Sequence, residues 1–158
     1  MIHPLSRLAL ALKPTQLRIA RQYSVQLIYQ LEASQQSYLS ESTLNGFFNQ
    51  NEVPHDLYDF IKTIVGMAVD DRERIDGLIE KHAANWKLSR IARVDLAILR
   101  ICTAELLTRP ELPRDVIINE GVELGKQFGS TASGSFINGV LDALARSIAV
   151  PHNVVKTD

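Results

Sequence analysis

The sequence predicts an all-α protein. Apolar residues recur every three or four positions through most of the chain. Proline and glycine clusters separate those stretches, and no alternating strand pattern appears beyond the short, ambiguous run Val116-Ile-Ile118. A length of 158 residues with 46% hydrophobic content suits one globular domain.

The N-terminal run Leu8–Leu12 is apolar but is stopped by Lys13-Pro14. It is too short for a signal peptide or for a membrane helix, which needs about 20 apolar residues. A cytoplasmic protein that does not engage a membrane is the simplest reading. Leu17, Ala20, Ser24, Leu27 and Leu31 share one face and predict a first helix over 15–33, with Thr15 as its cap. The Ser/Gln-rich stretch 33–42 reads as a loop, and 43–50 as a short helix. After Pro54, the spacing of Leu57, Ile61, Ile64, Ala68, Ile75, Leu78 and His82 predicts one long helix over 55–84, bent near Gly66 or Gly77. Ser89 is placed to cap the next helix, which runs through Ile98 and Cys102 to Leu106. Pro110 and Pro113 bracket a tight connection. Val116, Ile117, Leu124 and Phe128 predict a fifth helix. The breaker cluster 129–134 precedes a last helix through Phe136, Leu141 and Ile148, and the tail from Pro151 reads as frayed. A linker near Trp86–Leu88 divides the chain into subdomains of about 14–86 and 87–150.

Charge narrows the function. The formal net charge of −1 argues against a generic nucleic-acid coat. The sum hides an asymmetry, with four basic residues against one acidic in 1–34, four against nine in 35–84, and nine against eight in 85–158. A basic end beside an acidic middle can hold a polyanion locally, although on charge alone solvated helix faces are the simpler account. A single cysteine excludes an internal disulfide framework. Cys102 lies on an apolar helix face and reads as core. Four histidines are dispersed at positions 3, 55, 82 and 152, and Pro54 interrupts the Glu52–His55 pair. No catalytic residues, metal ligands or cofactor are therefore assigned. Gly121, Gly125 and Gly129 recur at intervals of four and read as a close helix approach, not a phosphate cradle.

Four blocks together resemble the NusB transcription antitermination factors. They are Arg18-Ile-Ala-Arg21 leading into Ser24–Leu31; Val94–Ile101 with Ala104-Glu-Leu106; Pro113 with Val116–Glu120, Val122–Lys126 and Phe128-Gly129; and Phe136–Asp142. The resemblance covers about 15–146. It implies an all-α bundle of two helical subdomains and a role without a chemical step. The expected function is binding of boxA-type nascent RNA together with the ribosomal protein in the NusE role. The pair joins the RNA polymerase antitermination complex, notably on ribosomal RNA operons. Self-association into a homodimer is compatible with the family.

Candidate RNA contacts follow from physical needs. Phosphates need exposed cations, and Arg18 and Arg21 are three apart on one helix, just after Lys13. Single-stranded RNA also needs flat groups for stacking. Phe136 follows the 129–135 loop, Lys126 lies just before it, and Ser133 is placed to cap the last helix, whose free N–H groups attract phosphate. Core packing for Phe136 and a plain cap for Ser133 remain open. The resemblance assigns Tyr29 and Asp95 to the protein partner, on a different surface between the subdomains. A half-buried aromatic and a salt bridge to Arg93 or another arginine remain open for these two. Leu17 and Ile19 stand where relatives often carry arginines, and the loop Ser130–Ser135 lacks charge. Both departures point to RNA binding that depends on the partner. Two other readings are carried: an RNA-recognition module of an RNA cytosine methyltransferase, whose large catalytic domain has no counterpart in these 158 residues, and a dimerising helical protein that binds no RNA.

Overall fold

The computed structural model describes residues 2–84 and 86–148, and every regular element among them is helical. The helices are α1 (Pro4–Leu10), α2 (Pro14–Ala33), α3 (Glu41–Gln50), α4 (Tyr58–Asp70), α5 (Arg72–His82), α6 (Arg93–Thr108), α7 (Arg114–Phe128) and α8 (Ser133–Ile148). The tail from Pro151 lies outside the described residues.

Helix α6 is the axis of the molecule. It is buried at every position from Asp95 to Glu105 and packs against α1, α2, α4, α5, α7 and α8. A helix buried all round must be apolar or must neutralise what is not. Its central residues Leu96–Leu99, Ile101, Cys102 and Ala104 are apolar. Two of its three buried charges, Arg100 and Glu105, are held in ion pairs, while Asp95 makes none among the described residues. Arg100 donates to Asp76 at 2.8 and 2.9 Å and to Glu32 at 3.3 Å. One core cluster runs from Leu5 to Ala145 through both halves of the chain.

Helices α7 and α8 pack tightly along the α7 glycines. A Cβ added at Gly121 would lie 2.9 Å from Leu141 Cδ1 and 3.0 Å from Cys102 Sγ, and one at Gly125 would lie 2.7 Å from Ile137 Cδ1. The glycine spacing therefore serves close helix approach, as the sequence suggests.

Five local expectations are corrected. Helix α1 was not anticipated: its seven residues are too few for periodicity, yet Pro4 opens it, His3 Nδ1 accepts from the Leu5 N–H at 3.0 Å, and Leu5 is fully buried. Lys13, not Thr15, is the N-cap residue of α2, with its backbone N–H donating to Gln16 Oε1 at 2.8 Å. The long helix breaks at Asp71, between α4 and α5, and runs unbroken through Gly66 and Gly77. The Asp71 N–H still bonds Met67 O at 2.9 Å, while its carbonyl accepts from the Ile75 N–H at 3.0 Å to start α5. Ser89 lies in a 3-10 turn (Leu88–Arg90), and α6 begins four residues later with Ala92 before it. Ser133 does not cap α8: its Oγ accepts from the Ser130 N–H at 2.9 Å, and the residue is 1% exposed.

Candidate nucleic-acid interface

The amphipathic boundary of α2 runs between its two arginines. Arg18 is exposed and holds Glu120 of α7 through both ends of its guanidinium, at 3.2 and 2.9 Å. Arg21, one turn on, points inward at 4% exposure and grips the fully buried Glu105 at 2.8 and 2.6 Å. Glu105 also accepts from Arg109 at 2.7 Å. Burial acts to lower the Arg21 pKa, and the hydrogen bonds and charge of Glu105 outweigh it, so the guanidinium titrates above its ordinary range. Arg21 is thus a structural cation. The expectation that it shares an exposed face with Arg18 fails, because its partner lies 84 residues away on α6.

Arg18 nevertheless has a basic neighbour. Arg18, Glu123, Lys126 and Gln127 line an open cleft of about 370 Å³ between α2 and α7. Gln22 donates to Gln127 between the same two helices at 3.2 Å. Lys126 is paired with Glu123 at 3.3 Å, and both are largely exposed. Lys13 is exposed at the start of α2. The cleft therefore offers cations already half-neutralised by Glu120 and Glu123.

A second cavity, of about 210 Å³, lies between the α5–α6 connection and the start of α8. Trp86, Arg90, Ile91, Asp95, Ala132 and Phe136 line it. Phe136 is partly buried and meets Trp86 edge to face, with ring centres 6.2 Å apart. Trp86 is 49% exposed, and Asp95 7%. The structure thus brings Phe136 and Asp95, expected on different surfaces, to one cavity. Ser133, 1% exposed with its Oγ accepting from the Ser130 N–H, is not among the residues that line it. Asp95 makes no ion pair among the described residues, with Arg93 or otherwise, while Tyr29 stands 40% exposed on α2. Trp86 and Arg90 went unrecognised as site residues. The available signal was a lone tryptophan in a linker where nothing in the sequence provides for its burial.

Residues 18–146 match the family model described as the NusB family. The chain belongs to the NusB family. A transcription antitermination protein NusB of Acetivibrio thermocellus is 41% identical over 129 residues, covering 82% of this chain and 88% of its own. That of Myxococcus xanthus is 39% identical over 136 residues, covering 85% and 97%. Among solved structures, T. maritima NusB superposes with a TM-score of 0.73 at 28% identity, over 82% of this chain and 89% of that one. The antitermination factor NusB solved with NusE and double-stranded RNA shares the fold at a TM-score of 0.75 and 24% identity, over 85% and 99%. The matched span begins at Arg18, so α1 lies outside the NusB model.

Proposed function

We infer that this NusB-family chain is an RNA-binding transcription antitermination factor, acting by assembly and not by catalysis. The observation that carries the reading is the family match over 18–146, with antitermination proteins as its relatives. The cleft gives it a physical basis. Lys13, Arg18 and Lys126 are exposed cations along α2 and α7, and Phe136 supplies an aromatic face beyond the 129–132 turn. Arg21 and Ser133 support this surface from within.

Two of the three cations already hold carboxylates. RNA must compete with those pairs, so binding by the isolated chain is weak. The proposed ligand is boxA-type single-stranded RNA bound jointly with the ribosomal protein in the NusE role, within the RNA polymerase complex on ribosomal RNA operons in the cytoplasm. Tyr29, exposed on α2, belongs to the protein-docking surface. Asp95, 7% exposed in the first turn of α6, is the second residue assigned to that surface.

A mobility-shift titration with boxA-type RNA, with and without the ribosomal protein, tests this. A gain in RNA affinity of about tenfold or more is expected when the partner is present. No gain at moderate salt refutes joint binding.

A further inference from the structure

The two carboxylates of the α2–α7 cleft are held differently. Glu123 pairs with Lys126 one turn along α7 at 3.3 Å, and the two side chains are 61% and 64% exposed. Exposed pairs within one helix are weak and screened by salt, so Glu123 swings into water when an anion takes Lys126. Glu120 is confined. Its side chain is 16% exposed and lies between two arginines of α2. On the outer side Arg18 donates to it from Nε at 3.2 Å and from Nη2 at 2.9 Å. On the inner side Arg21 brings Nη1 to 3.9 Å from Glu120 Oε2. The hydrogen bond to Glu120, and then its charge, raise the Arg18 pKa above the ordinary value.

Arg21 is pinned, because its Nε and Nη2 both donate to the fully buried Glu105. Its positive charge therefore stays beside Glu120 whatever occurs at the surface. A phosphate that draws Arg18 away leaves Glu120 in the cleft wall, attracted to that inner cation. The carboxylate thus opposes an incoming anion twice. It fills the bidentate fork of Arg18, which carboxylate and phosphate share as ligands. It then repels the phosphate that displaces it. Glu123, free to turn outward, does neither to the same degree.

We propose that Glu120 is an autoinhibitory residue of the cleft, an internal stand-in for an RNA phosphate that lowers the affinity of the isolated chain for RNA. The proposal rests on the RNA-binding reading above. It goes beyond that reading by assigning the control to one of the two carboxylates, through the exposed Arg18 on one side and the pinned Arg21 on the other.

The full chain and its variants are titrated with labelled boxA-type RNA, read by anisotropy at one moderate salt, alone and with the ribosomal protein. Circular dichroism melting of each variant checks the fold. Glu120→Gln keeps an acceptor oxygen for Arg18 and removes the charge, and it is expected to bind RNA about fivefold tighter than the parent or more. Glu120→Ala, a second neutral variant, gains as much. Glu120→Asp keeps the charge and shows no gain. Glu123→Gln removes the same charge from the same helix and gains no more than about twofold. In an Arg18→Ala background, the gain from Glu120→Gln shrinks to that of Glu123→Gln. Equal gains from Glu120→Gln and Glu123→Gln reflect bulk charge and overturn the proposal, as does a full gain without Arg18. Weaker RNA binding by a folded Glu120→Gln also overturns it, and makes Glu120 a support that orients Arg18. No anisotropy change with any variant, with or without the ribosomal protein, overturns the RNA-binding reading as well.

Discussion

Arg21→Ala and Arg18→Ala, one turn apart on α2, are expected to fail in opposite ways. Glu105 is fully buried and receives three charge-assisted hydrogen bonds, two from Arg21 and one from Arg109. Breaking a buried ion pair costs about 3–5 kcal/mol, because the remaining charge stays uncompensated. Arg109 keeps one bond to Glu105, which places Arg21→Ala at the lower end, about 3 kcal/mol. For a chain of this size each kcal/mol shifts the melting temperature by about 2–4 °C, so Tm falls by roughly 6–12 °C. The Arg18–Glu120 pair is exposed on the arginine side, where water and salt screen it, so it adds little to stability. Arg18→Ala therefore leaves Tm close to the parent's, but it removes a proposed phosphate contact. Thermal unfolding by circular dichroism gives the first quantity. RNA anisotropy below both transitions gives the second, where Arg21→Ala stays close to the parent. An Arg21→Ala protein that melts within about 2 °C of the parent and loses RNA binding would refute the division of roles between the two arginines.

Four other outcomes follow. With Lys13, Arg18 and Lys126 as three contacts to a single strand, log affinity against log salt has a slope of about −2, flattened by about 0.7 in Arg18→Ala, and a flat line excludes the cleft as the phosphate site. Gly121→Ala drives a methyl group against Leu141 and Cys102 and lowers stability by about 1–3 kcal/mol in urea unfolding; an unchanged midpoint shows that α7 and α8 can part freely. Burial raises the Cys102 thiol pKa well above its usual value, so a thiol reagent at pH 8 reacts with the unfolded protein and not the native one. Burial raises the Glu111 carboxyl pKa, but hydrogen bonds from the backbone, Arg109 and Ser6 outweigh it and leave it below the ordinary value. That stabilisation is present above the unfolded-state pKa and is lost as pH falls through the folded one, and Glu111→Gln removes this part of the acid dependence of Tm.

The fold was legible where an apolar stripe runs long enough to show its period. Helices α2, α6, α7 and α8 stand close to their expected places, and the glycine spacing marked a close helix approach, which proves to be that of α7 on α8. What escaped depends on partners distant in sequence. Helix α1 is held by Ser6, whose hydroxyl donates to Thr108 O and Glu111 at 3.1 and 3.0 Å, more than a hundred residues away. Arg21 and Arg18 look alike locally, and only the position of Glu105 sends one inward. The break at Asp71 carries no glycine or proline. In the candidate site, Lys126 and Arg18 do line one cleft. Trp86 was invisible because a tryptophan in a linker gains meaning only when Phe136 and Asp95 come to lie beside it.

The central position of α6 also fixes when the chain can fold. Helices α2, α4 and α5 are synthesised before the helix they pack around, and Arg21 precedes Glu105 by 84 residues. At bacterial-to-eukaryotic elongation speeds of about 5–20 residues per second, that interval is roughly 4–17 s. During it, the amino-terminal helices leave the ribosome with their apolar faces uncovered. The native core therefore closes late in synthesis, once α6 and the helices that follow it are available.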